Sequence, residues 1–247
     1  MPFRAILFDI GDTLWHAEGA PPAEEFRRLA AERAAAALAG HGVGEEAAAA
    51  YARAAWKAME SAMALARETT LIEPDYGAEA QGALLSLGLT VTRDAAADFL
   101  QAIYVSGAEG GKAAYADAVP TLAELRSRGF KLGIVTNRAF GGERFRADLR
   151  EAGLDIGWDA TAVSVEVGFL KPHPALFEAA LARLGVAAEE ALMVGNSLAE
   201  DIAGAQRLGM AAAWRRSTAD AEGVVPDYVF DEVAELLAIP ELARSAR

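Results

Sequence analysis

The sequence predicts an α/β protein: a parallel sheet with helices on both faces, interrupted by one helical insertion. Three observations carry that reading. Short apolar runs end in polar or glycine-containing turns, stretches with apolar residues three and four apart lie between those runs, and an alanine-rich block follows the first run without any strand-like segment.

The first run, Phe3–Phe8, stops at Asp9 and reads as a buried strand that delivers a carboxylate from its carboxyl end. From about Trp15 to Lys112 the pattern changes to four helices, broken at Gly40–Gly44, Leu71–Pro74 and Gly88–Thr92. Tyr51, Ala55, Met59 and Met63 recur every fourth residue and share a helical face, while Phe26, Trp56, Phe99 and Tyr104 supply apolar mass to pack. This block is expected to be a helical cap domain, residues 15–112, set into a core built from 1–14 and 113–247.

Beyond the insertion, helix and strand alternate. Leu122 and Leu125 precede Gly129, and the strand Lys131–Val135 then ends at Thr136-Asn137. A weaker strand is expected near Thr161–Val163. Leu176, Phe177, Ala180, Leu181 and Leu184 mark a helix before Gly185, and the strand Ala191–Val194 ends at Gly195-Asn196. Ile202, Ala205 and Leu208 precede Gly209, with further strands near Ala211–Trp214 and Tyr228–Phe230. Each helix closes on a glycine suited to a left-handed cap. The acidic segment Asp231–Glu235 reads as a solvated helix face. Such alternation implies right-handed crossovers and a parallel sheet, whose ligands sit at the carboxyl ends of the strands. Asp9, Thr136 and Asn196 should meet there.

Composition narrows the function. With 36 acidic and 23 basic residues among 247, the formal charge of −13 opposes non-specific binding to nucleic acid and repels anionic lipid surfaces. A chain without cysteine has no disulfide, no thiolate nucleophile and no cysteine-held zinc. No stretch approaches the roughly 18 apolar residues of a membrane span. The apolar start meets Asp9 too early for a signal-peptide core, so a cytoplasmic location is expected.

The chemistry-bearing residues fall in ordered strings. Phe8-Asp9-Ile10-Gly11-Asp12-Thr13-Leu14 puts two carboxylates and a hydroxyl in one turn. Ser164–Pro174 contains Lys171 between a glycine turn and two prolines, which would hold one ammonium in place, and Met193–Ala205 contains Asn196, Glu200 and Asp201. In this order, at the ends of alternating strands, the strings resemble the haloacid dehalogenase superfamily, in the branch with a helical cap between its first and second motifs. The likeness spans nearly the whole chain, and Ser164–Met210 is its most specific part.

That resemblance implies a three-layer, Rossmann-like α/β core and a magnesium-dependent phosphatase working through an aspartyl-phosphate, its partner a small-molecule phosphate ester. Asp9 would be the nucleophile. Thr136, with the Asn137 amide nearby, would bind the transferring phosphoryl group, and Lys171 would neutralise nucleophile and phosphoryl oxygens. Asp9, the Gly11 carbonyl, Asn196 and Asp201 would hold Mg²⁺. A carboxylate attacking a phosphate dianion needs such cations, because phosphoryl transfer is mainly positioning and charge neutralisation.

The chain departs from the family pattern twice. The first motif usually reads Asp-x-Asp, its second carboxylate protonating the leaving group and then activating water. Here that position is Gly11, and the aspartate comes one place later as Asp12, which is expected to point elsewhere. The fourth motif usually has an aspartate where this chain has Asn196, so Mg²⁺ should bind more weakly. Two alternatives therefore stand beside the phosphatase: a metal-free 2-haloacid dehalogenase, and a non-catalytic member that still binds phosphate. Among other polar residues, His16 and His173 read as turn residues, His41 has no ligand partner at useful spacing, and Arg138 suits either substrate contact or a surface salt bridge.

Overall fold

The structure, a computed structural model, describes residues 3–217 and 223–243, apart from the His41 side chain. The chain forms two compact units, one from the residues up to Ala17 and from Lys112 onward, the other from Glu18–Gly111. The reading of His41 lies outside the described residues.

In chain order, β1 (Ala5–Phe8) and the short β2 (Trp15–His16) precede the helices α1 (Ala23–Leu38), α2 (Glu45–Glu68), α3 (Tyr76–Ser86) and α4 (Arg93–Ala102). The chain returns through β3 (Ala113–Ala114), α5 (Ala118–Ser127), β4 (Lys131–Thr136), α6 (Gly142–Glu151), β5 (Ala160–Val163) and the single turn α7 (Ser164–Val167). It ends with α8 (Pro174–Leu184), β6 (Ala191–Gly195), α9 (Ala203–Gln206), β7 (Ala211–Arg215) and β8 (Tyr228–Phe230).

Six of these strands make one parallel sheet in the order β5-β4-β1-β6-β7-β8. Their side chains alternate between two cores. Ile6, Phe8, Leu132, Ile134, Leu192 and Val194 face a layer containing Leu122, Leu125, Phe145 and Leu149, while Ala5, Leu7, Val135 and Met193 face Leu176, Phe177, Leu184 and Ile202. Both faces are covered, as near-continuous apolar runs in a parallel sheet require. Packing is tight at Gly133, where a Cβ would lie 2.7 Å from Leu7 Cδ2 and the leucine would have to shift.

The strand order reverses at β1. The chain first builds outward through β4 and β5, then crosses back to place β6 on the other side of β1. The carboxyl ends of β4, β1 and β6 therefore flank a topological switch point, where crossovers diverge and leave a crevice. In the same unit β2 pairs antiparallel with β3, which keeps Trp15 and His16 beside Ala113 and Ala114. Neither short strand follows from hydropathy, because two-residue strands carry no measurable period. The segment Asp231–Glu235 enters a 3₁₀ turn, Val233–Ala238, that buries Val233 and Leu236.

The helical unit is α1–α4, and consecutive helices pack on one another. The Thr92 and Asp75 side chains cap α4 and α3, accepting from Ala95 N and Ala78 N at 3.1 Å each. Along α2 the buried face is Ala48, Ala52, Ala55, Met59 and Ala66, all but Met59 small residues that admit a close neighbour. No helix among the described residues is long and apolar enough to cross a membrane.

Candidate active site

Asp9 is the first residue beyond β1, and its N–H donates to Val194 O at 2.9 Å, so backbone bonding to β6 extends one residue past the strand. Its side chain is almost wholly buried. The partner is Lys171, whose Nζ donates to Asp9 Oδ1 at 2.6 Å, Asp201 Oδ1 at 2.6 Å and Val135 O at 3.0 Å. All three ammonium protons are thus engaged, with a carboxylate from the end of β1, one from beyond β6 and a carbonyl of β4. Burial works against the Lys171 charge, but Asp201 and Asp9 outweigh it and its pKa is raised. Burial, reinforced by the nearby Asp9 charge, raises the pKa of Asp201 against the pull of Lys171.

Two frameworks aim this cluster. Lys171 N donates to Asn137 Oδ1 at 2.7 Å, and Asn137 Nδ2 returns a bond to Lys171 O at 3.3 Å and another to Glu200 Oε2 at 3.2 Å. Asp201 Oδ2 accepts from Ser197 N at 2.9 Å, and a Cβ at Gly195 would lie 2.3 Å from that same oxygen. Glycine is therefore the only residue that lets β6 end against Asp201. Thr136 is buried at the end of β4, and its hydroxyl makes no hydrogen bond among the described residues.

A sequence model of the family described as haloacid dehalogenase-like hydrolase matches residues 3–209, the span that contains this cluster. The chain belongs to the haloacid dehalogenase-like hydrolases. It is 32% identical over 248 residues to a glyceraldehyde 3-phosphate phosphatase of Methanopyrus kandleri, covering 98% of this chain and 99% of that protein. Two solved structures share its fold. One is a HAD phosphatase from Thermococcus onnurineus, with TM-score 0.58, 26% identity and coverage of 96% and 97% of the two chains. The other is a 2-haloacid dehalogenase from Pseudomonas syringae pv. Tomato DC3000, with TM-score 0.64, 26% identity and coverage of 98% of each chain.

Both unusual positions of this hydrolase are visible. Asp12 is exposed, lies in the left-handed region at φ 52° and makes no side-chain hydrogen bond among the described residues. A Cβ at Gly11 would meet nothing nearer than Asp9 Oδ2 and Trp15 Nε1, each at 4.0 Å. Asn196 is anchored through its carbonyl, which accepts from Trp214 Nε1 at 3.0 Å and Ser217 Oγ at 3.1 Å. The single Thr13 hydroxyl proton lies between Asp9 Oδ2 at 3.4 Å and Asn196 Oδ1 at 3.5 Å, too far to satisfy either fully. Asp9, the Gly11 carbonyl, the Asn196 amide and Asp201 offer oxygen donors only, a chemistry that suits a hard cation. Among the described residues no three acidic or histidine side chains gather as a metal cluster.

Other sequence candidates settle into structural contacts. His173 Nδ1 caps α8 by accepting from Ala175 N at 3.2 Å, and its ring stacks on Phe169. His16 packs against Tyr115. Arg138 pairs with the buried Asp148 at 2.5 Å and lies over the Trp15 and Phe145 rings, so it is no surface ion pair. Lys112 lies over the same indole, and burial, then Arg138, lowers its pKa. Sequence reasoning missed Trp15 as a neighbour of Gly11, and Glu200 and Asn137 as the brace on Lys171. Only Glu200 carried a signal, its place beside Asp201.

Proposed function

We propose that this hydrolase is a cytoplasmic, metal-dependent phosphatase of small phosphate monoesters, acting through an aspartyl-phosphate on Asp9. One observation carries the reading: Lys171 holds Asp9 through Oδ1 alone, so Oδ2, with only a 3.4 Å contact to Thr13, is the oxygen free to attack. In the first step Asp9 Oδ2 bonds to phosphorus as the bond to the leaving oxygen breaks and that oxygen takes a proton from solvent; in the second, water attacks phosphorus, passes its proton to solvent and breaks the acyl-phosphate bond, which restores the carboxylate. The Thr136 hydroxyl, which makes no hydrogen bond among the described residues, donates to a phosphoryl oxygen. The buried Lys171 charge offsets that of the nucleophile, and Asn137 keeps Lys171 in place.

Mg²⁺ is the cation we assign to the donor set of Asp9, the Gly11 carbonyl, Asn196 and Asp201; when bound it supplies positive charge to the transferring phosphoryl oxygens. The helical unit is the cap that selects the ester. The full-length likeness to a glyceraldehyde 3-phosphate phosphatase favours phosphate esters of small polyols and their oxidised relatives. It also favours phosphate over halide chemistry, as does Gly11, where a dehalogenase of this family carries a bulky aromatic.

Phosphate release from a panel of esters, with Mg²⁺ and with chelator, tests the reading, with halide release from 2-chloropropionate measured in parallel. Magnesium-dependent phosphate release is expected. Chelator-insensitive halide release, or phosphate binding without turnover, would overturn it.

A further inference from the structure

The helical unit contains a cavity of roughly 640 Å³, within the range of small-molecule sites. Beside Ala52 and Val105, its wall carries two matching stripes. Ala23, Phe26, Arg27 and Ala30 on α1, and Arg53, Trp56, Lys57 and Glu60 on α2, each follow the i, i+3, i+4, i+7 spacing of one helical face. A stripe between packed helices is ordinarily apolar. Here it carries three cations.

Among the described residues those cations have no charged partner. Along α1 the neighbouring Arg28 pairs with Glu25 and Glu32, and Arg33 pairs with Glu109. Arg27, Arg53 and Lys57 form no ion pair or hydrogen bond among the described residues, in a chain with 36 acidic side chains available. The one carboxylate on the wall, Glu60, is occupied by the Trp56 indole, whose Nε1 donates to it at 2.7 Å and is thereby fixed in orientation. Trp56 and Phe26 are half-buried, leaving ring surface on the cavity.

We infer that this cavity binds a small aromatic organic anion, with its ring system against Trp56 and Phe26 and its acidic group among Arg27, Arg53 and Lys57. Flat rings stack well on an oriented indole, and converging cations select a carboxylate, sulfonate or phosphate head. The inference does not depend on the proposed phosphatase reaction, because it concerns equilibrium binding to the helical unit.

The probe is 8-anilinonaphthalene-1-sulfonate, titrated by fluorescence into the full-length protein and compared with the uncharged N-phenyl-1-naphthylamine. The wild type should bind the sulfonate more tightly, with energy transfer from tryptophan that falls in Trp56→Phe. The triple variant Arg27→Gln, Arg53→Gln, Lys57→Gln should weaken the sulfonate about tenfold or more and change the neutral dye less than about twofold. Glu60→Gln should tighten it about twofold. All three sites are exposed, so the triple variant should fold, and circular dichroism checks that it does. Equal sulfonate affinity in wild type and triple variant, or energy transfer unchanged in Trp56→Phe, would overturn the inference. Competition by an ester that the enzyme hydrolyses assigns the anion to the substrate; sulfonate binding without competition assigns it to a separate ligand.

Discussion

In the α/β unit, Lys171, Asp9 and Asp201 are buried together with 2.6 Å contacts; in the helical unit, Arg93 meets Asp75 and Asp94 at 2.7 and 2.8 Å on the exposed surface. The distances are nearly the same, yet the consequences differ. An exposed pair that loses a member is rehydrated, and its contribution is small. A buried cluster that loses a member strands the others where water cannot follow. Distance alone therefore does not rank ion pairs; the strand ends that enclose the first cluster keep water from it.

The largest effect should separate the chemical role of that cluster from its structural one. Asp9→Asn keeps an oxygen for Lys171 but cannot form an acyl-phosphate, so turnover should fall by at least about 10³ with the fold intact. Asp75→Asn, the matched change in the helical unit, should leave turnover as it was. More than about a hundredth of wild-type activity in Asp9→Asn, measured as phosphate release by protein checked for folding, would remove Asp9 as nucleophile.

Next comes stability. Lys171→Met leaves Asp9 and Asp201 buried without their shared cation, at a cost of about 3–5 kcal/mol. Arg93→Met should leave the urea midpoint within experimental scatter. If both variants shift the midpoint alike, burial is not what distinguishes the two sets of charges.

The same contrast explains how much was legible in the sequence. Asp9, Thr136 and Asn196 each interrupt an apolar run at a strand's carboxyl end, and the strand order converts that one-dimensional signal into proximity. The four helices were legible too, because Gly40–Gly44, Leu71–Pro74 and Gly88–Thr92 break an otherwise continuous pattern. Side-chain direction was not. Asn137 bracing Lys171 and His173 capping α8 depend on torsions that no period encodes. The helix α6 was missed because its face rests on Phe145 and Leu149 among charged neighbours. Arg27, Arg53 and Lys57 look like any solvated helix positions until α1 and α2 are placed together. The unit with buried charge could be read from its strand ends, whereas the cavity of the helical unit needed coordinates.

A smaller effect should come from restoring the carboxylate order of the first turn. The open space at Gly11 accepts a side chain, and Asp12 already sits in a left-handed conformation that glycine adopts without strain. Gly11→Asp with Asp12→Gly should raise turnover of alkyl phosphate esters by about tenfold or more, within the range of general acid catalysis. Aryl esters, whose leaving groups need little protonation, should respond less. Slower turnover of alkyl esters in a folded variant would mean that Asp12 already serves as the acid.

The smallest effect concerns Asn196, the second of the two positions where the chain departs from the pattern it resembles. Its main chain is pinned by Trp214 and Ser217, so Asn196→Asp should keep the oxygen where the amide oxygen now lies, near Thr13 Oγ1. Thr13 has one proton for two acceptors, and among the described residues Lys171 is the buried cation beside Asp9 and Asp201. Without Mg²⁺ the added charge is therefore repelled, and the thermal midpoint should fall. With Mg²⁺ the repulsion becomes attraction for a hard cation, so affinity should rise by about fivefold and the midpoint recover. Calorimetric titration and paired melting curves read the two effects separately. A variant with unchanged affinity and unchanged metal-free midpoint would place residue 196 outside the reach of both the cation and the Lys171 cluster. Loss of stability without a gain in affinity would keep it beside the cluster but remove it from the donor set.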